Sequence, residues 1–424
     1  MPSFSANSLA EWLAHLETLH ANAIDLGLSR VAQVRDAMAL RPACPVVLVG
    51  GTNGKGSVCA MLSTMLTRAG FRVGTYTSPH LLHYNERVAI DMQPVDDAVL
   101  LASFAAVEAG RGQTALTYFE FATLAAVQCF ITAQVDVMVL EVGLGGRLDA
   151  VNAFEPDVSV VVSVDLDHQA YLGNDRESIG YEKAGIFRAG KPAICSDAHP
   201  PARLLAHAAQ IGAPLYCIGQ DFSASRLEQQ WSFRMGQRHW HALPLPVLRG
   251  SYQISNACAA LAVLTVLHDR LPVDLGAIKR GLLEVDWPCR FQVLPGKPQV
   301  VLDVGHNPHA VRAMVANLRQ LPFAEQRYAV FSMLEDKDLE SVADLAQSDF
   351  DGWMVAGLSM ARGQSGARLA ERLAARGVKN IKVFDDIAQA WKAALSQASE
   401  NDRIVVFGSF HTVAEVMETR QLHL

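Results

Sequence analysis

Short continuous apolar runs alternate with segments of helical periodicity along most of this chain. Val46–Gly50, Phe71–Tyr76, Val137–Val142, Val158–Val164 and Pro192–Cys195 are the first such runs. Unbroken Val-rich stretches of this length suit strands buried on both faces, as in a parallel sheet covered by helices. Ser8-Leu9-Ala10-Glu11 reads as a capping box that opens a first helix running to about His20. The alternation continues to about residue 220. Between Ser223 and Leu248 the chain becomes polar, aromatic and rich in turn formers, which predicts a small antiparallel excursion, and a helix is expected over Asn256–His268. A second alternating series begins near Gln299, with strands at Val300–Val304, Tyr328–Met333, Gly352–Ala356, Ile381–Phe384 and Arg403–Phe407. Asn307-Pro308 supplies an N-cap and an N1 proline for its first helix. DWPCRFQVLPGK, Asp286–Lys297, carries two prolines between the two series. The expected division is therefore a domain over 1–285, a linker over 286–298 and a domain over 299–424, with no internal repeat or low-complexity tract.

Composition narrows the class. A chain of 424 residues with 50% hydrophobic content can bury a large core, and two or three domains are expected at roughly 100–200 residues each. Lys+Arg 36 against Asp+Glu 43 gives −7. That balance argues against a nucleic-acid partner while leaving room for a local basic pocket. Seven scattered cysteines without a C-x-x-C pair indicate free thiols in a reducing compartment rather than a disulfide frame or a zinc site. The start MPSFSANSLAEWL has no basic and apolar leader pattern. No apolar run approaches the ~18 residues that span a bilayer. A cytoplasmic protein with no membrane partner is expected.

The strongest chemical signal lies in VVLVGGTNGKGSVCAMLSTML, Val46–Leu66. A buried strand runs into a glycine-rich turn and then a helix. Glycines allow successive backbone N–H groups to face one concavity, and the helix adds its positive end, so the turn can cradle phosphates. Lys55 can reach terminal phosphates and the Ser57 hydroxyl can hold magnesium. In the commoner form lysine and serine are adjacent; here Gly56 separates them.

In open α/β sheets ligands gather at the carboxyl ends of the strands, and polar residues stand at several such ends. Ser78, in TSPHL, is either a second hydroxyl ligand for magnesium or part of a Ser-Pro turn. Glu141 closes an apolar strand, where a carboxylate needs a cation or hydrogen bonds; it is either a magnesium ligand or an ion-pair partner, with Arg147 the nearest candidate. His168 follows the fourth strand, as a ligand or as a surface loop residue. Lys183 is either a solvated lysine or a side chain that takes up carbon dioxide, its carbamate then offering a carboxylate to a hard cation. In the second series Asp303 can hydrogen-bond a ribose and His306 can contact base or phosphate, or both cap the next helix. Arg290 is a candidate phosphate partner acting on domain closure. Ser409 and His411, at a helix start, form either a carboxylate site or an ordinary cap.

Taken in order, IDLGLSRV, GTNGKGS, TSPHL, LTYFEFAT, LEVGLGGRLDA, DHQAYLG, EKAGIFR, RFQ, DVGHNPHA and FGSFHTV resemble the folylpolyglutamate synthase/dihydrofolate synthase family of the Mur ligase superfamily, over nearly the whole chain. The resemblance implies an α/β fold, a P-loop ATPase-like, mostly parallel sheet domain followed by a smaller Rossmann-like domain. It implies an ATP-dependent ligase that uses magnesium, two ions in all, and acts as a monomer. Gly54, Lys55, Gly56 and Ser57 match the family's phosphate loop. Ser78, Glu141 and His168 match its magnesium ligands, Lys183 its carbamylated lysine, and Asn256, Arg290 and Asp303 its ATP contacts. Asp25, Leu26, Gly27 and Leu28, then Thr117, Tyr118, Phe119 and Glu120, and Leu148, Asp149 and Ala150 resemble pteroate-binding segments of bacterial members that also make dihydrofolate. Tyr118 and Phe119 suit the walls of a flat pterin site. Three places depart from the pattern: His168-Gln169-Ala170, where an acidic residue is usual two positions on; Gly250-Ser251-Tyr252-Gln253; and Pro288-Cys289-Arg290.

The reaction implied is phosphorylation of a carboxylate, of dihydropteroate or of a reduced folyl glutamate, followed by amide formation with L-glutamate. Three alternatives stand beside it. They are a polyglutamylating enzyme alone, a cell-wall Mur ligase on a peptide precursor, and a nucleotide-binding regulator without ligase chemistry. The cell-wall class carries a whole domain before the phosphate loop, for which about 50 residues are too few.

Overall fold

The computed structural model describes residues 4–22, 24–360 and 362–420. They form two compact units. One comprises 1–165, 171–247 and 254–285, and the other 166–170, 248–253 and 286–424, within the described residues.

The first unit is built on an eight-stranded sheet. Its strands are β1 (Val46–Gly50), β2 (Val73–Tyr76), β3 (Val88–Ile90), β4 (Gln93–Pro94), β5 (Val137–Glu141), β6 (Val158–Val161), β7 (Ala193–Cys195) and β8 (Leu215–Cys217), in the order β4-β3-β2-β5-β1-β6-β7-β8. Pairing is parallel from β2 to β8, and only β3 and β4 run antiparallel at one edge. Every residue of β1, β5 and β6 is buried, as their unbroken apolar runs require of strands covered on both faces. The run predicted to end at Val164 leaves the sheet after Val161. Beyond it the Val164 amide is taken by the Asp197 carboxylate at 2.7 Å. A separate three-stranded antiparallel sheet holds β9 (Phe222–Arg226), β10 (Gln230–Met235) and β11 (Arg238–Pro244), ordered β11-β10-β9, where the aromatic-polar stretch predicted such an excursion. The predicted first helix is observed over Leu9–Thr18, with the Ser8 hydroxyl accepting from the Glu11 amide.

The second unit carries β12 (Gln292–Leu294), β13 (Gln299–Leu302), β14 (Arg327–Phe331), β15 (Gly352–Ala356), β16 (Ile381–Phe384) and β17 (Arg403–Phe407) in the order β12-β13-β17-β14-β15-β16. All pairs are parallel except β12 with β13. The stretch expected as a linker is therefore partly sheet: Gln292–Leu294 pairs with Val300–Leu302. Its apolar residues find an edge to join, which the two prolines around them do not prevent because neither must donate within the ladder. Phe331, Phe350, Trp353 and Phe407 pack ring to ring under this sheet. All seven cysteines are free thiols, and no described helix is long and apolar enough to cross a membrane.

Candidate active site

In the first unit the strand order puts β1 between β5 and β6, so three carboxyl ends lie side by side. Gly54 leaves β1 for the helix Lys55–Arg68 with φ 86°, in the left-handed region that glycine alone enters without strain. A Cβ there would lie 2.7 Å from Asn256 Oδ1 and 2.9 Å from Val162 Cγ1, so Asn256 packs directly against the loop. Ser163, which sequence reasoning passed over, braces the same turn: its hydroxyl accepts from the Asn53 amide at 3.0 Å. Thr52 is fixed likewise, its hydroxyl donating to the Asp165 carbonyl at 3.0 Å. The Ser163 signal was visible only as a polar residue just past a Val-rich strand.

Lys55 folds back along the loop. Its Nζ donates to the Gly51 and Thr52 carbonyls at 3.2 and 3.3 Å and stands 4.0 Å from Glu141 Oε1. Glu141 ends β5 in register with Val49 of β1, is 5% exposed, and accepts the Ser78 amide at 3.2 Å. These residues come together as expected of strand ends. The alternative pairing of Glu141 with Arg147 is not what forms: Arg147 forks onto Glu182 at 2.9–3.2 Å. Ser57 is buried on the first turn of the helix. A carboxylate and hydroxyls are hard oxygen donors, which suit magnesium and leave its remaining positions to water and phosphate. Among the described residues no three His, Cys, Asp or Glu side chains gather into a metal cluster.

Lys183 does not stand in solvent. It lies at the end of the helix Arg176–Ala184 and is 3% exposed, so the reading of it as a solvated lysine is set aside. The helix end packs closely on the loop before it: a Cβ on Gly146 would lie 2.8 Å from the Glu182 carbonyl and 3.0 Å from the Lys183 carbonyl. A carbamate on Lys183 would itself be a buried charge, negative rather than positive, and would need a cation or hydrogen bonds to hold it.

The three segments that resemble a pteroate site all belong to this unit. Thr117 and Glu120 form a reciprocal capping box for the helix Tyr118–Thr132. Tyr118 lies against the Arg87 guanidinium at 5.5 Å, and Phe119 lies 5.9 Å from Tyr76. Leu26, Gly27, Leu28 and Leu148 are half-buried, and Ala150 is buried. Asp149 is 3% exposed. Burial pushes its carboxyl up to about 7, against the pull of the Leu144 and Val151 amides that it accepts at 2.7 and 3.1 Å.

The second unit holds the other candidates. Asp303 accepts the Gly305 and Phe291 amides at 2.7 and 2.9 Å; burial raises its carboxyl to about 6. Arg290 stacks 5.0 Å above Phe410. His306 Nδ1 lies 3.0 Å from the Val304 carbonyl. Ser409 serves as the N-cap of the helix Phe410–Thr419, accepting the Thr412 amide at 3.0 Å, and His411 is exposed. His168 belongs here too, on the segment 166–170, with φ 51°. Its neighbour Asp167 accepts Lys337 Nζ at 2.7 Å and Asn307 Nδ2 at 3.0 Å, with His306 Nε2 at 3.6 Å. Burial alone would raise the Asp167 carboxyl, but His306, Lys337 and His168 hold it well below the usual range. Lys337 was not singled out in the sequence; nothing local marks a lysine that pairs 170 residues away.

Residues 49–264 match the Mur ligase middle domain, and residues 289–410 match the Mur ligase, glutamate ligase domain. With the phosphate loop and its neighbouring carboxylate, these define an ATP-dependent Mur-type ligase. The chain is 44% identical over 415 residues to the dihydrofolate synthase/folylpolyglutamate synthase of Escherichia coli K12, covering 98% of this chain and 96% of that one. It superposes with a TM-score of 0.94 on E. coli FolC in complex with DHPP and ADP, at 43% identity and 99% coverage of both chains. A bifunctional folylpolyglutamate synthase/dihydrofolate synthase with Mn, AMPPNP and L-glutamate bound matches with a TM-score of 0.92 at 43% identity, over 99% of this chain and 100% of the other. The chain belongs to the dihydrofolate synthase/folylpolyglutamate synthase family.

Proposed function

We propose that this chain joins L-glutamate to dihydropteroate, and to the γ-carboxyl of folyl glutamates, through an acyl phosphate. The observation that carries the reading is the approach of Lys55 Nζ, on the first turn of the helix that follows β1, to within 4.0 Å of the buried Glu141 at the end of the adjacent parallel strand β5, beside a left-handed glycine turn. A carboxylate is a poor acyl donor because its oxyanion leaves badly. Transfer of the γ-phosphoryl group of ATP to it creates a leaving group. Lys55 and the amides of Gly54, Gly56 and Ser57 neutralise charge on the transferring group. The glutamate amine then attacks the acyl carbon, and phosphate departs. Asn256, Arg290, Asp303 and His306 contact the nucleotide. Ser57, Ser78, Glu141 and His168 would hold magnesium, which would supply charge neutralisation, with a carbamate on Lys183 as a further anionic support. Asp25–Leu28, Thr117–Glu120 and Leu148–Ala150 receive the pteroate, and Ser409 and His411 receive glutamate. The enzyme works as a cytoplasmic monomer on small-molecule substrates.

The test is a coupled phosphate-release assay with each acceptor in turn, with and without glutamate, on the unsubstituted chain and on Lys55→Ala. Release should require ATP, acceptor and glutamate together. Lys55→Ala should fold normally and lose about 10²–10³ in rate. A folded, fully active Lys55→Ala ends the reading.

A further inference from the structure

Two of the residues placed in the pteroate segments point their carboxylates at each other's neighbourhood, and one unassigned side chain lies between them. Arg30, in the first turn of the helix Ser29–Ala37, donates from Nη1 to Asp25 Oδ2 at 2.8 Å and from Nη2 to the Asp25 carbonyl at 2.9 Å. Its other edge faces Glu120: Nε donates to Oε2 at 3.3 Å, and Nη2 stands 3.2 Å from Oε1. Glu120 is 3% exposed and also accepts the Thr117 amide at 2.8 Å. His20 Nε2 completes the group, 3.4 Å from Asp25 Oδ2.

The described residues between the helices Leu9–Thr18 and Ser29–Ala37 form no helix or strand. A loop of that kind keeps one shape only where side chains tie it down. A guanidinium has five N–H groups in a rigid fork and can grip two carboxylates at once. We infer that Arg30 is the positioning residue of the acceptor site: it latches the Asp25–Leu28 loop to Glu120, the last residue of the Thr117–Glu120 segment, and so sets the affinity for dihydropteroate. On this assignment the carboxylates of Asp25 and Glu120 hold the site together rather than touching the ligand, which meets the backbone and apolar groups that they fix in place. The inference rests on the acceptor reading given above.

Arg30→Met alone would strand the buried Glu120 charge and risk unfolding. The variants are therefore Arg30→Met/Glu120→Gln, which removes both charges, Asp25→Asn, which weakens only the loop arm, and Arg30→Lys. Steady-state kinetics are measured with dihydropteroate, ATP and glutamate varied separately, beside a thermal melt. Hydrogen bonds to charged groups are strong enough that losing the latch should raise KM for dihydropteroate about tenfold or more. In Arg30→Lys, which alters no residue of the pteroate segments, KM for ATP and kcat at saturating acceptor should stay within about threefold, a split that a general folding defect would not produce. Asp25→Asn should show a smaller rise, and Arg30→Lys should recover part of the loss. A folded double variant with an unmoved KM for dihydropteroate overturns this inference alone. An unsubstituted chain with no dihydropteroate-dependent turnover overturns the acceptor reading and this inference with it.

Discussion

Gly54→Ala tests whether the glycine turn is built for phosphate or is only a tight corner. Gly54 sits at φ 86°. A side chain in the left-handed region costs about 1–2 kcal/mol. The added methyl would also lie 2.7 Å from Asn256 Oδ1 and 2.9 Å from Val162 Cγ1, and both neighbours are buried, at 4% each. Overpacking of that kind costs about 1–3 kcal/mol. The expected destabilisation is about 2–5 kcal/mol, or a fall in Tm of roughly 4–10 °C. Differential scanning calorimetry measures it. Titration with a non-hydrolysable ATP analogue then separates stability from binding. The methyl displaces Asn256 from the loop, so nucleotide affinity should weaken by about tenfold or more. Adding Asn256→Ala removes one clash but not the backbone strain. The double variant should regain about 1 kcal/mol of stability and none of the affinity, because Asn256 is itself proposed to contact the nucleotide. Normal nucleotide affinity in Gly54→Ala would refute the assignment of the turn.

Two further outcomes follow from buried ionisable groups. Lys183→Ala should lower turnover by about 10²-fold, the usual size for one lost charge contact, and added acetate or formate should restore part of it; unchanged turnover removes the lysine from the site. Asp149 goes from an ordinary 3.8 to about 7 in the fold, so between those values the folded chain keeps a proton that the unfolded chain has released. Stability from this group is therefore full below about pH 4, falls as pH rises and levels off above about 7, a loss of about 3 kcal/mol between pH 5 and pH 8. Asp149→Asn should narrow the difference in Tm between those two pH values; an equal difference in both proteins would show that Asp149 does not carry the proton.

Much of this arrangement was legible in the residue order, for physical reasons that differ by element. The Val-rich strands declared themselves because strands buried on both faces have no polar positions to hide the pattern. The phosphate loop was legible because only a few residue types satisfy its backbone. Edge elements were not: β3, β4 and β12 have three residues or fewer, too short for a period to show. Long-range pairings were equally invisible. Arg30 meets Glu120 across 90 residues, and Arg147 turned to Glu182 rather than to the nearer Glu141. Burial reversed one plain reading, since Lys183 in a polar-looking stretch proved almost fully enclosed.

The least expected feature concerns His168, whose following residues depart from the family pattern by lacking an acidic group at Ala170. A ligand histidine needs a partner that fixes its ring and its loop. The structure supplies restraint from the other side. Asp167, one residue earlier, takes Lys337 and Asn307 as direct donors and lies near His306, and Lys337 Nζ stands 3.5 Å from His168 Nε2. Those partners all lie in the second unit, to which the short segment 166–170 also belongs. An acidic residue at 170 would add a second carboxylate to a segment already tied by one. The departure at Ala170 is thus compatible with a held His168, because the restraint is provided by Asp167 and by residues more than a hundred positions away.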